Sequence, residues 1–167
     1  DADVLFTAYP PLKANPNFYL GIILFAVGAL LSCVHFFATL VVAKKEGYHK
    51  GSYPLFTFGI LIAVILAVFT LLIGAVTYIP TWLWAMGWIN NIDPALYRLG
   101  FWGFGHSAQQ INLAAMVSIW YLLGTLTVGS KPVNEKLSRI AFLLYLIGIN
   151  VGSVHHLLVD PGLSATF

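Results

Sequence analysis

The sequence predicts an all-α membrane protein with four transmembrane helices. Of its 167 residues, 59% are hydrophobic and only 8% are charged, whereas an ordinary soluble domain carries about 25% charged residues. Four apolar runs are long enough for the ~20 residues with which a helix crosses ~30 Å of hydrocarbon. The charged residues lie outside these runs or at their ends, as expected where ionisable groups are costly in lipid.

The four predicted spans cover, in order, residues 18–42, 55–79, 96–127 and 137–159. Pro10, Pro11 and Pro16 precede the first span and Pro54 precedes the second, and proline suits an extended segment that leads into a helix. Between the second and third spans lie Trp82, Trp84 and Trp88. Because tryptophan gathers at membrane interfaces, we expect a short piece that lies in the headgroup layer there.

Several features of the chain exclude other classes of protein. The net charge of +2 is too small to imply a nucleic-acid partner, and the single cysteine, Cys33, cannot form an internal disulfide. The chain begins at Asp1, without an initiator methionine or a signal-peptide pattern. We therefore expect residues 1–167 to be one internal fragment of the transmembrane domain of a longer protein, embedded in the lipid bilayer.

The basic residues are unevenly distributed between the two sides of the predicted bundle. Lys13 and Arg98 are the basic residues of one side. The loops after the first and third spans, with the start of the fourth, carry Lys44, Lys45, Lys50, Lys131, Lys136 and Arg139. By the positive-inside rule these lysine-rich loops are cytoplasmic, so both termini face the outer side of the membrane.

Three of the five histidines are predicted to lie at one depth. His106 is about ten residues into the third span from the outer side, and His155 and His156 are a few residues from the outer end of the fourth. His35 lies near the cytoplasmic face and His49 lies in a loop. Imidazole is the commonest metal ligand, and three neutral imidazoles suit Cu, Fe or Zn. The alternative for a single buried histidine is a hydrogen-bonded structural residue.

Two adjacent histidines constrain where such an ion can lie. Neighbouring side chains on an α-helix point about 100° apart. His155 and His156 can therefore share an ion only in the wedge between them, against a helix that supplies the third ligand. Asp160 follows His156 by four residues and either orients its second ring nitrogen or is a plain charge at the helix end.

Polar residues follow His106 along one face of the third span. Gln109 and Gln110 are three and four residues after it, which brings both near the face of the predicted ligand. The face continues toward the cytoplasm with Ser118, Tyr121 and Thr125. Small polar residues at this spacing either carry water and protons or pack against another helix, as membrane interfaces favour.

The sequence resembles subunit I of the heme–copper oxidase superfamily, in particular its b-family oxygen reductases. Three segments carry the resemblance: Y-P-P-L-K at 9–13, F-W-G-F-G-H at 101–106 and V-H-H-L-L-V-D-P-G at 154–162. They occur in the family's order and spacing. The resemblance implies helices IV to VII of a twelve-helix bundle. It also implies that His106, His155 and His156 bind the non-heme metal, Fe or Cu, of a heme–metal binuclear centre.

One position departs from the pattern of these oxygen reductases. The family has H-P-x-V-Y, and its tyrosine is linked to another ligand histidine and supplies an electron and a proton when the O–O bond breaks. This sequence has H-S-A-Q-Q, with Gln110 in place of the tyrosine. Tyr145 is ten residues before His155, about 15 Å along a helix axis, and is expected to be a poor substitute. In the superfamily's nitric oxide reductases a glutamate takes this position and no tyrosine is needed.

The favoured interpretation is therefore a nitric oxide reductase that forms N2O. Gln110, or Gln109, offers an amide oxygen to the metal or holds a water beside it. The alternative is a cytochrome c oxidase-type enzyme that reduces O2 to water and pumps protons. A diheme cytochrome would need histidine pairs at matching depths, and His35 is too deep to partner the trio. Retention of all three ligands argues against a degenerate structural subunit.

The resemblance also implies parts that lie outside this segment. The full-length protein is expected to bind hemes whose axial ligands lie on other helices. An electron-donor subunit II of the cytochrome c or copper type is the expected partner, and NO or O2 is the gaseous substrate. The expected location is the prokaryotic cytoplasmic (inner) membrane, as a multi-pass protein with its metal site toward the outer face.

Overall fold

The computed structural model describes residues 4–48 and 50–158. Four long helices follow one another: α1 (Pro16–Lys45), α2 (Leu55–Ala85), α3 (Pro94–Val128) and α4 (Glu135–Gly152), and α4 continues into a short 3-10 helix (Ser153–Leu157). All four spans are long and apolar enough to cross a membrane, the fourth when the 3-10 helix is included. The predicted all-α class with four spans is confirmed.

Side chains at the helix starts explain where three of the helices begin. Asn15, Asp93 and Asn134 precede α1, α3 and α4, and each accepts a hydrogen bond from a backbone N–H of the first turn. Such caps satisfy donors that have no partner within the helix. At its other end α3 stops at Gly129, whose φ of 65° is readily adopted by glycine alone.

The second helix is longer than predicted. It continues through Pro80 to Ala85, so the predicted end of the span at residue 79 is too early, and Trp82 and Trp84 lie on the last turns of α2. The location of these tryptophans in the headgroup layer stays a prediction. Proline is tolerated inside membrane helices where other groups satisfy the freed backbone. Just after the proline the Thr81 hydroxyl donates to the Thr77 carbonyl (2.7 Å), and at the C-terminal end of the helix the Lys13 ammonium donates to the Trp84 carbonyl (3.1 Å).

The fourth helix changes from α-helical to 3-10 geometry before its predicted end. The α-helical part ends at Gly152, and both histidines lie on the 3-10 helix that follows. A 3-10 helix has three residues per turn, so the side chains of His155 and His156 are separated by about 120° rather than by the 100° of an α-helix. The predicted wedge between them is therefore somewhat wider.

Helix α2 forms the centre of the bundle. It contacts α1, α3 and α4, while the terminal 3-10 helix packs on α3. Glycines allow the closest approaches: a Cβ on Gly59 would lie 2.1 Å from the Ser118 hydroxyl of α3, and a Cβ on Gly100 would lie 2.3 Å from the Thr77 hydroxyl of α2. Small residues at such crossings are typical of membrane helices, which associate through close packing.

The segment before α1 folds over one end of the bundle. Ala8 and Ala14 are buried, and the Tyr97 hydroxyl of α3 donates to the Thr7 carbonyl (2.8 Å). At the opposite end Arg139 of α4 donates to the Tyr53 carbonyl (2.6 Å), which joins the start of α4 to the loop before α2. The few basic residues of one predicted side and the many of the other therefore lie at opposite ends of the folded bundle.

We expect Gly59→Ala to destabilise the bundle by about 1–3 kcal/mol, the usual cost of overpacking. The added methyl would lie 2.1 Å from Ser118 Oγ and 2.7 Å from Phe142 Cζ. The matched control is Gly28→Ala, because a Cβ at Gly28 of α1 meets nothing within 4 Å. Thermal unfolding of the full-length protein in detergent should show a lower midpoint for Gly59→Ala only. Equal midpoints for the two variants would contradict this packing.

Candidate metal centre

The structure brings His106, His155 and His156 together. One ligating nitrogen from each lies within 4.8 Å of the other two, and Nδ1 of His106 is 3.1 Å from Nε2 of His156. The ring centroids of His106 are 4.6 Å from His155 and 5.2 Å from His156. His106 is buried, His156 is half-buried and His155 is exposed. The three imidazoles therefore surround one point between α3 and the terminal 3-10 helix.

The trio fits a transition metal. Two nitrogens at ~2.0–2.1 Å from one ion in tetrahedral geometry are about 3.4 Å apart, close to the 3.1 Å between His106 and His156. Among the described residues no cysteine or carboxylate joins the group, and a set of imidazoles alone suits Cu, Fe or Zn. The spacing of the three ligating nitrogens therefore fits a single metal ion held by neutral imidazoles.

One of the two adjacent histidines has a ring nitrogen that is hydrogen-bonded to the backbone. Nδ1 of His155 donates to the carbonyl of Gly152, one turn earlier. A ring N–H held in this way leaves Nε2 as the free acceptor and fixes the orientation of the ring. Gly152 also allows the close approach of α3, since a Cβ there would lie 3.2 Å from Nε2 of His106.

Trp102 supports the other member of the pair and was missed by the sequence reasoning. Its indole stacks on the His156 imidazole with ring centroids 3.6 Å apart and planes 4° apart. Its Nε1–H donates to the Tyr9 hydroxyl, and the Arg98 guanidinium lies over the Tyr9 ring. The available signal was the spacing, because Trp102 precedes His106 by four residues and so shares its face.

Of the two candidate glutamines, one lies at the site. The Nε2 atom of Gln110 is 3.3 Å from Nε2 of His106, whereas the side chain of Gln109 is exposed. The Tyr145 hydroxyl donates to the amide oxygen of Gln110 and lies 3.2 Å from its backbone carbonyl. The distance along the α4 axis from His155 therefore does not describe how far Tyr145 lies from the site. The packing of α4 on α3 brings the Tyr145 hydroxyl against Gln110.

The three candidate proton-route residues differ in their surroundings. The Ser118 hydroxyl is buried and donates to the Ala114 carbonyl (2.7 Å), next to Gly59 of α2. The Tyr121 hydroxyl lies 3.0 Å from Ser138 Oγ of α4, and the Thr125 hydroxyl donates to the Tyr121 carbonyl (2.9 Å). Tyr121 and Ser138 line a cavity of about 200 Å³ between α3 and α4, which Tyr145 also borders.

The remaining candidates lie outside the cluster or outside the described residues. His35 is exposed on α1 and does not join the trio. Cys33 is buried on the same helix. Asp160 and His49 are not among the described residues, so the suggested contact between Asp160 and His156 stays a prediction.

We expect His106→Ala and His156→Ala to lose the bound metal, since each removes one of three nitrogen ligands. The matched control is His35→Ala, which removes an imidazole from the same bundle but away from the trio. Non-heme metal in the purified full-length protein is the plasma mass spectrometry value less the heme iron counted by absorbance. It should fall severalfold in the first two variants and stay at the wild-type value in the control. Full metal retention in His156→Ala would rule out the three-histidine site.

Two comparisons with known proteins show the family to which the chain belongs. The profile of the family described as cytochrome C and quinol oxidase polypeptide I matches residues 1–167. A similar curated relative is cytochrome c oxidase subunit 1 of Thermus thermophilus, 31% identical over 170 residues. That match covers 100% of this chain but 30% of the relative, so the chain spans just under a third of the relative's length. The chain belongs to the family of subunit I of the heme–copper oxidases.

Proposed function

We propose that this chain is part of the catalytic subunit I of a membrane-bound respiratory reductase and supplies its non-heme metal site. His106, His155 and His156 are the ligands, and the metal is Fe or Cu. The convergence of the three ligating nitrogens within 4.8 Å supports this assignment. Membership of the family supports the oxidoreductase class and hemes elsewhere in the full-length protein.

The favoured reaction is the reduction of NO to N2O, and the observation that carries it is the side chain beside His106. Gln110 stands where a redox-active tyrosine would be expected in a b-family oxygen reductase. An amide cannot form a phenoxyl radical or donate an electron. Two NO molecules with two electrons and two protons give N2O and water, whereas O2 needs four electrons and four protons to give two waters. The heme iron and the non-heme metal, when bound, supply the two electrons that NO reduction requires.

In this proposal the chain's own residues orient the metal ligands and deliver protons to the site. Gln110 presents a polar amide at the buried side of His106, where it engages the ligand or a water beside it. Trp102 keeps the His156 ring in one plane by stacking. Ser118, Tyr121 and Thr125 form the proton route from the cytoplasmic side, and the pairing of Tyr121 with Ser138 supports continuation of that route onto α4.

The second candidate is reduction of O2 to water with proton pumping. It is favoured by the relative from Thermus thermophilus, which is named as a cytochrome c oxidase subunit 1. The two reactions share the metal ligands and differ in that O2 reduction requires two more electrons and two more protons. The electron donor in either case is a subunit II of the cytochrome c or copper type, and the membrane is the prokaryotic inner membrane with the metal site toward its outer face.

We expect the purified full-length complex to reduce NO to N2O much faster than it reduces O2. Gln110→Leu should lower NO turnover about 10–100-fold, the range for a group that supports a metal ligand, and leave the protein folded, because the volume changes little. Gln110→Tyr should also impair turnover, since a phenol would crowd the pocket. Gas-selective electrodes and N2O detection measure all three proteins.

Two outcomes would change the proposal. Sustained O2 reduction by the wild type with negligible NO turnover would overturn the NO assignment in favour of the oxygen reductase. Full NO activity in Gln110→Leu would remove Gln110 from the mechanism, and a loss of activity in Gln109→Leu instead would transfer the role to the exposed glutamine.

A further inference from the structure

The Gln110 side chain forms a bridge between a metal-ligand candidate and a tyrosine on another helix. Its Nε2 atom lies 3.3 Å from Nε2 of His106, and its Oε1 atom accepts from the Tyr145 hydroxyl. Nδ1 of His106 faces the other way, 3.1 Å from Nε2 of His156. The two nitrogens of His106 therefore have separate tasks, one inside the histidine cluster and one toward Gln110.

In the structure each hydrogen-bonding group that links His156, His106, Gln110 and Tyr145 has a compatible partner. A neutral imidazole has one N–H and one acceptor nitrogen. With the proton on Nδ1, His106 donates to His156, and its Nε2 accepts from the Gln110 amide. Tyr145 then donates to the amide oxygen. This tautomer cannot bind a metal through Nδ1, because that nitrogen carries the proton.

Metal binding through Nδ1 requires the opposite tautomer. The proton must then lie on Nε2, which becomes a donor and would face the N–H groups of Gln110. Rotating the amide by 180° removes the conflict with almost no change in shape, since its oxygen and nitrogen are nearly the same size. The amide oxygen then accepts from Nε2–H, and the amide nitrogen points at the oxygen of Tyr145.

Only a hydroxyl at Tyr145 is compatible with both arrangements. A phenol both donates and accepts. In the rotated state it accepts from the amide and directs its own O–H to the backbone carbonyl of Gln110, 3.2 Å away. That carbonyl has a second lone pair available beyond its helical hydrogen bond. No net proton is gained or lost, because the proton of His106 only changes nitrogen.

We propose that Tyr145 is a positioning residue that, by accepting a hydrogen bond from the rotated Gln110 amide, allows His106 to carry its proton on Nε2 and leave Nδ1 free for the metal. The inference rests on the proposed three-histidine site and adds a residue from the middle of α4 to it. A hydrogen bond to the non-ligating nitrogen of a metal-bound histidine orients the ring and strengthens the ligand. Tyr145 provides this indirectly, because its oxygen accepts from the rotated amide, which a phenyl ring cannot do.

The test is metal retention, which does not depend on the substrate. Four full-length proteins are purified and dialysed against EDTA: wild type, Tyr145→Phe, Gln110→Leu and the double variant. The non-heme metal that each retains is followed by plasma mass spectrometry, with the heme iron counted by absorbance and subtracted. The matched control is Tyr53→Phe, which removes a hydroxyl bonded to the Leu40 carbonyl on α1. Tyr145→Phe should weaken metal affinity about tenfold, and the control should match the wild type.

The double variant separates a positioning role from a structural one. If Tyr145 acts through Gln110, the double variant should lose no more metal affinity than Gln110→Leu alone, because the two residues form one unit. Additive losses, or a Tyr145→Phe protein that keeps its metal like the wild type, would overturn the inference. The proposed function would still stand in that case, since it fails only if the wild type binds no metal at the three histidines or does not reduce NO.

Discussion

The contact between α3 and the 3-10 helix at the end of α4 is the constraint on which the rest of the site depends. It brings a buried imidazole from one helix against two consecutive imidazoles from another. The approach is possible because Gly152 has no side chain, since a Cβ there would press on His106. In lipid, polar groups without partners are costly, so the three rings are held where they can satisfy one another or an ion.

Around this contact the fold supplies support from two directions. From one side the segment before α1 reaches over the bundle, and Tyr9 holds the indole of Trp102, which stacks on His156. From the other side Tyr145 of α4 holds Gln110, which contacts His106. The central position of α2, secured by glycine at its closest crossings, fixes the spacing of the helices that carry these residues. Metal ligands in proteins generally need such partners to keep their orientation.

The fold followed closely from the sequence because apolar length alone defines a membrane span. Depth along each span was enough to single out His106, His155 and His156 from the five histidines. Helical spacing brought both Gln109 and Gln110 near His106, and the position of the family's tyrosine favoured Gln110. Two features could not be predicted from the sequence because they depend on how the helices pack against one another. The Lys13–Trp84 contact joins residues 71 positions apart, so the extension of α2 past Pro80 was not foreseeable. The contact of Tyr145 with Gln110 spans 35 positions and is set by the α3–α4 crossing. Trp102 was within reach, since it precedes His106 by one helical turn.

The central claim is that the three imidazoles hold a single metal ion. The most direct measurement is anomalous X-ray diffraction from crystals of the full-length protein, recorded on both sides of the absorption edges of iron and copper. The account predicts one non-heme peak with nitrogen atoms of all three histidines at ~2.0–2.1 Å, by analogy with zinc–imidazole bonds, and with Nδ1 of His106 as its ligating atom. A peak bound by fewer than three of these histidines, or none between α3 and the terminal 3-10 helix, would contradict it.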